Sequence, residues 1–242
     1  MSALAAAASL GHTQLVRLLL DRGAAVDAKP TTAIPMFRFT GHGLTALHAA
    51  VYAGQPQAAE LLLSHGGADI SATFDAYRAV GSPPEPGSPG RRDRRTWTTG
   101  VTALHLADDS PGCAALLLRR GADAAARDGW GRTPLHWAMG SGNVDVVRLL
   151  LAAGTPVDVL DDDGATPLAV LVARLESGAG RAGHPDIVRM LLAAGANPDL
   201  RYPQDLSVKA RLLLMEEWRG VYGPIFEECQ LGSPGFGGRR LS

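Results

Sequence analysis

The chain has 242 residues, 23 basic and 24 acidic side chains and a formal net charge of −1, so nothing global draws it to nucleic acid or to an anionic membrane. Its two cysteines, Cys113 and Cys229, are too few for a disulfide framework and point to a reducing compartment, the cytoplasm or else the nucleus. No apolar stretch reaches the roughly 20 residues a membrane helix needs, and Ala, Leu and Gly outnumber a thin set of aromatics, as in helices that pack through small side chains.

The first element, "MSALAAAASLGH", is apolar but lacks the basic leader and long apolar core of a secretory signal, and it reads as a helix. It opens with Ser2-Ala3-Leu4-Ala5, and "LVRLLLDRG" follows, ending at Gly23. This pair of markers returns along the chain. Thr45-Ala46-Leu47-His48 precedes "AAELLLSHG", which ends at Gly66, and Thr102-Ala103-Leu104-His105 precedes "AALLLRRG", which ends at Gly121. Thr133-Pro134-Leu135-His136 precedes "VVRLLLAAG" at Gly154, and Thr166-Pro167-Leu168-Ala169 precedes "IVRMLLAAG" at Gly195. Thr133 and Thr166 are 33 residues apart, and so are Gly121 and Gly154. Two independent markers therefore share one period.

Each marker has a physical reading. A Thr N-cap accepts a hydrogen bond from an otherwise orphaned backbone N–H, and Pro suits the first helical position because it has none to lose. Leu135, Ala138 and Met139 then share one helical face, as do Val147, Leu150 and Leu151 in the next helix. Gly154 supplies the left-handed residue that ends that helix. Two short helices cannot bury their own apolar face, but stacked copies make a continuous core.

On these residues the chain resembles the ankyrin-repeat family. The matching segments are "DGWGRTPLHWAMGSGNVDVVRLLLAAG" (128–154) and the copy at 161–199, with weaker copies at 43–71 and 100–125 and a partial one at 2–27. The resemblance covers roughly residues 2 to 200 and implies an all-α ankyrin-repeat solenoid of about five repeats. The expected organisation is an incomplete first repeat (1–28), an insert (29–42), repeat two (43–72), a long Pro/Gly/Arg-rich insert (73–99), repeat three (100–127), repeat four (128–160), repeat five with an interhelix insert (161–200), a C-terminal capping segment (201–230) and a flexible tail (231–242). Residues 206–219 are expected to form the closing helix, with Val208, Leu212 and Met215 on one face. The first copy begins at its Thr-equivalent position, so either a partner covers that end or the chain is a piece of a longer protein.

The spacing locates the departures. Ten extra residues separate Gly23 from Thr45, about 23 lie between Gly67 and Thr102, repeat three is two residues short between its helices, and repeat five has eight extra around "SGAGRAG". Pro, Gly and Ser in the middle of the long insert cannot sustain regular structure there, so that stretch is expected to be mobile in the unbound chain. By the geometry the resemblance implies, both inserts lengthen finger-like turns beside the concave face.

Several constellations look like chemistry. Gly178-Ala179-Gly180-Arg181-Ala182-Gly183 fits a dinucleotide fingerprint, but such a loop needs a preceding strand, and "TPLAVLVARLES" reads as a helix. His48, His105 and His136 sit in successive repeats roughly 8–10 Å apart, too far for one metal ion, and the resemblance gives them a local turn-tightening role. Asp161-Asp162-Asp163-Gly164 lacks the alternating ligands and closing Glu of a calcium loop and reads as a finger turn. Cys113 reads as a buried small hydrophobe. No cofactor or metal is expected.

The residues singled out for partner binding are Trp130, Arg132 and Trp137, with Tyr52 near the end of its helix, and the insert residues Arg91, Arg92, Arg94, Arg95 and Trp97. The family pattern places Trp130 and Arg132 on a finger and Trp137 just after the His, all facing the groove and not the adjacent repeat. Trp, Tyr and Arg are enriched at binding hot spots, and a basic run steers an acidic partner. The resulting function is non-enzymatic recognition of a partner protein. The alternatives are a substrate-receptor subunit of a larger complex such as a ubiquitin ligase, and an enzyme with a pocket under the inserts.

Overall fold

Each quartet opens a helix, and each Gly-terminated apolar run forms a second helix packed beside it. The computed structural model describes residues 2–29, 34–36, 39–78, 97–176, 184–200, 207–214 and 216–231. The pairs are α1 (Ala3–Ser9) with α2 (Thr13–Asp21), α3 (Ala46–Tyr52) with α4 (Pro56–Ser64), α5 (Ala103–Leu106) with α6 (Pro111–Arg119), α7 (Pro134–Ser141) with α8 (Val144–Ala152), and α9 (Pro167–Glu176) with α10 (His184–Ala193). Repeat three, short between its helices, keeps four residues of α5 and then tightens into a 3-10 turn over Ala107–Asp109. No helix among the described residues is long and apolar enough to cross a membrane.

The first helices start where the quartets place them. Thr45, Thr102 and Thr133 each form a reciprocal capping box with the His three residues on, while Ser2 and Thr166 accept a single backbone N–H. Leu62, Leu117, Leu150 and Leu191, at one position of four successive second helices, are fully buried and run as a column through the core. Gly23, Gly121, Gly154 and Gly195 all have positive φ after their helices. Repeat two differs from the expectation. The left-handed residue there is Gly67, at φ 64°, and Gly66 instead lies so close to the Leu62 carbonyl that a Cβ would sit 3.0 Å from it.

The solenoid carries an addition built from its inserts. Residues β1 (Ile34–Met36), β2 (Phe39–His42), β3 (Thr73–Arg78) and β4 (Trp97–Thr102) form an antiparallel sheet in that order. Thr40 pairs with Tyr77 and Tyr77 with Trp97, and the register is irregular between Phe74 and Ala76. The two inserts, separated by the whole of repeat two, thus pair with each other. "TFDAYR" and "WTTGVT" are rich in β-branched and aromatic residues, which suit a pleated surface. The Pro/Gly/Ser centre expected to lack regular structure lies outside the described residues.

At the C-terminal end the expected single helix over 206–219 is replaced by a sixth pair, α11 (Val208–Leu214) and α12 (Glu216–Leu231). Helix α11 packs on α9, and α12 on α10, so the pair continues the stack. Val208 and Leu212 are buried as expected, whereas Met215 falls outside the described residues. Tyr222, Ile225 and Phe226 of α12 complete the apolar seal. The tail from residue 232 and the glycine-rich run 177–183 are also outside the described residues, but the segment before that run is α9, a helix and not the strand a dinucleotide site requires.

Candidate recognition surface

The fingers of repeats four and five are built by two buried aspartates. Asp128 Oδ1 accepts the backbone N–H groups of Trp130 and Arg132, both at 2.9 Å, and its Oδ2 accepts the Trp137 Nε1–H at 3.0 Å. Asp161 repeats the arrangement, accepting from the Asp163 and Ala165 N–H groups, and its Oδ2 receives Arg132 Nε–H at 3.1 Å. Gly131 and Gly164 turn the tips with φ of 71° and 78°, and the Asp162 N–H donates to the Trp130 carbonyl, linking one finger to the next. On the other side, Gly129 N–H donates to the Thr99 carbonyl of β4, so the sheet hands on to the fingers through single backbone bonds. A Cβ on Gly129 would lie 2.4 Å from Thr99 Oγ1, which is why that approach needs glycine.

Beneath the fingers, the histidines tie repeat to repeat. Thr102 and Thr133 N–H groups donate to Nδ1 of His105 and His136, which fixes the proton on Nε2. That proton is donated onward, from His105 to the Arg132 carbonyl at 3.0 Å and from His136 to the Ala165 carbonyl at 3.1 Å. Burial pushes both imidazoles below their ordinary pKa of 6.5, and it pushes His48 down to about 4. Protonating Nδ1 would set two N–H groups against each other, so neutrality is part of the architecture. His48 has the same cap, and its buried Nε2 faces the Val101 and Ala72 carbonyls in poorer geometry than His105 and His136 achieve. Phe74 of β3 packs edge-on against its ring at 4.9 Å.

The structure gathers Trp130, Arg132 and Trp137 around one carboxylate, Asp128. It also corrects their expected isolation from the neighbouring repeats. Trp137, besides its bond to Asp128, meets the His105 ring of repeat three edge-on at 5.7 Å. Arg132 reaches into repeat five, where its head group pairs with Asp161 and lies 3.8 Å from Asp163. Its charge is therefore already met inside the protein. The same guanidinium lies over the Trp130 ring, 5.1 Å from the centroid, and holds that half-buried ring in place. Tyr52 does not join this group but lines a separate cleft of about 280 Å³ with Leu106, Asp108, Asp109 and Ser110. Trp97 opens β4 opposite Tyr77, and Arg91, Arg92, Arg94 and Arg95 lie outside the described residues.

Two features of the surface were not singled out as site residues. Asp128 is the hub, and its signal is the Asp five residues before the quartet's Thr, which recurs as Asp161. The exposed Asp162 and Asp163 give the fingers an acidic rim beside the aromatic ring. Cys113 is buried in α6, and burial pushes its thiol above the ordinary range, away from the thiolate a nucleophile needs. Among the described residues no group of three His, Cys, Asp or Glu is placed to hold a metal ion.

The profile of ankyrin repeats (3 copies) matches residues 1–73 and 104–202, more than half of the chain. The chain belongs to the ankyrin-repeat family. The break in the match falls at the long insert, where β3 and β4 extend the ankyrin finger into the sheet. Mouse protein phosphatase 1 regulatory subunit 27 is 42% identical over 71 residues, which is 28% of this ankyrin-repeat chain and 46% of that protein. Ankyrin repeat and SOCS box protein 6 of Pongo abelii is 33% identical over 181 residues, 71% of this chain and 35% of that protein. Mouse 2-5A-dependent ribonuclease is 38% identical over 90 residues, 36% of this chain and 12% of that protein. The chain spans less than half the length of these curated relatives.

Proposed function

We propose that this ankyrin-repeat chain is a non-enzymatic recognition module that binds a partner protein through its concave face and fingers. The observation that carries the proposal is the Trp130 ring, presented at a finger tip by a buried carboxylate below and a guanidinium against one face. A rigid aromatic held in place before binding loses little entropy on complex formation. Trp130 is the anchor, Arg132 positions it, and Trp137 braces the finger from behind. The acidic rim of Asp162 and Asp163 suits a partner segment with an apolar anchor beside basic side chains. Tyr52 offers a second contact two repeats away, and the cluster Arg91, Arg92, Arg94, Arg95 with Trp97 steers encounter.

The non-enzymatic reading is supported by what the reactive side chains already do: His105 and His136 hold repeats together, and Cys113 is held as a thiol. The enzyme among the named relatives shares only 12% of its length with this chain. A second reading, a substrate-receptor subunit of a larger complex, is favoured by the relative named for ankyrin repeats and a SOCS box, whose similarity covers 71% of this chain. Affinity capture from the native cell, run in parallel with wild type and Trp130→Ala and read by mass spectrometry, tests the proposal. Partners recovered by wild type and depleted with Trp130→Ala support it. An identical set in both samples removes the fingers of repeat four as the binding site.

A further inference from the structure

A second surface lies on the second helices, apart from the fingers. The outward sides of α2, α4 and α6 form an open groove of about 1130 Å³. Its floor is α4, which presents Glu60 and the half-buried Leu61, and its walls carry Arg17 and Leu18 from α2 and Leu116 and Arg119 from α6. Leu18 is 48% exposed, and Leu15, one turn earlier on α2, is 43% exposed. The corresponding residues of the other second helices, Ala58, Cys113, Val146 and Ile187 for Leu15, are all buried. At Leu15 the apolar face of α2 is thus uncovered where its counterparts are covered, and Leu18 beside it lines the groove.

The charges of the groove do not cancel evenly. Glu60 pairs with Arg120, and Asp21 accepts from His65 Nε2 at 2.8 Å. Arg17 and Arg119 have no acidic partner among the described residues. A comparison between repeats makes the point sharper. At the helical position of Arg17, α8 carries Arg148 and α10 carries Arg189, and each pairs with an Asp three residues earlier, Asp145 and Asp186. Helix α2 has Gln14 at that place, so the guanidinium is left without its usual counter-charge.

We propose that this groove docks an acidic amphipathic helix of a partner protein, its apolar side chains resting on Leu18 and Leu61 and its carboxylates meeting Arg17 and Arg119. The volume exceeds the roughly 300–1,000 Å³ of small-molecule pockets, and the groove is open, as a helix-in-groove site requires. The apolar contact supplies most of the affinity, because exposed ion pairs are individually weak. The arginines select the sign of the partner's charge. A nucleic acid would find Leu18, Leu61 and the carboxylate of Glu60 where it needs further cations.

The test is a random 16-residue peptide library displayed on phage and selected on the whole chain, with enriched peptides then synthesised and titrated. The expected peptides combine Asp or Glu with Leu, Ile or Phe at helical spacing. Arg17→Glu with Arg119→Glu weakens them at least tenfold, Arg17→Gln with Arg119→Gln weakens them less, and Trp130→Ala leaves them unchanged. The Gln pair keeps the test valid if charge reversal disturbs folding, which circular dichroism reports. Enriched peptides that are basic, or that bind all the arginine variants as tightly as wild type, overturn the proposal. So does a selection in which every binder is lost with Trp130→Ala, an outcome that leaves the finger surface standing. A single-stranded oligonucleotide bound more tightly than any peptide, and lost in the arginine variants, also overturns it.

Discussion

The junction between repeats four and five and the junction between repeats two and three use the same histidine in different ways. At the first, His136 caps its own helix and passes its Nε2 proton to the Ala165 carbonyl, while Arg132 and Asp161 clasp across the fingers above. At the second, His48 caps its helix and its buried Nε2 faces the Val101 and Ala72 carbonyls in poorer geometry, while the ring rests on Phe74 of the sheet. The long insert enters between these repeats, and strand pairing from β2 to β3 and β4 stands where a short finger stands elsewhere. A solenoid tolerates a large insertion when the junction exchanges a short finger for a sheet and braces the buried histidine with an apolar contact.

Acid should destabilise the chain through all three histidines, each in its own pH window. Each has a folded-state pKa below 6.5, lowered mainly by burial, and His48 lies at about 4. A group held neutral in the folded chain binds its proton first in the unfolded chain. Stability is therefore full above pH 6.5 and is lost as pH falls toward the folded-state values. Each histidine contributes up to about 1.4 kcal/mol per pH unit inside its own window. Melting temperatures measured from pH 7.5 to 4.5 should fall most steeply below pH 6.5, and His48→Gln should flatten the lower end. A flat profile would mean that the imidazoles are not held neutral.

Packing offers the next largest contrast. Leu150→Ala should destabilise by about 2–5 kcal/mol through lost transfer energy and a cavity. Leu19 occupies the same position in α2 but is only partly buried, so Leu19→Ala should cost clearly less in denaturant titration. Equal costs would show that the first pair is as well covered as repeat four. Trp137→Ala should follow, at about 1–3 kcal/mol, because the buried Asp128 Oδ2 loses its donor. Trp137→Phe, which keeps the ring and loses only the donor, separates the hydrogen bond from the packing. The smallest effect is expected for Thr133→Ala, about 1 kcal/mol from the lost cap, read as a shift in the denaturant midpoint.

The helix pairs were legible because each carries its own start and stop within one repeat: a Thr cap, an apolar face and a closing glycine. What failed to show was non-local. The pairing of residues 39–42 with 75–78 joins two inserts across an intervening repeat, and no local pattern encodes that partnership. The sixth pair has neither quartet nor closing glycine, and Gly220, Gly223 and Pro224 read as breakers although α12 runs through them. At the candidate site the residue types were visible, but their partners were not. Arg132 looked free because Asp161 belongs to the next finger, and Trp137 looked free because Asp128 and His105 reach it from two directions.

The central claim is that the finger of repeat four anchors a partner through Trp130. The direct test is isothermal titration of the captured partner into wild type and Trp130→Ala, with melting curves recorded on both. The expected result is a loss of about 2 kcal/mol or more in binding, roughly thirtyfold in Kd, with little change in melting temperature. Full affinity in Trp130→Ala would contradict the claim and move recognition off this finger.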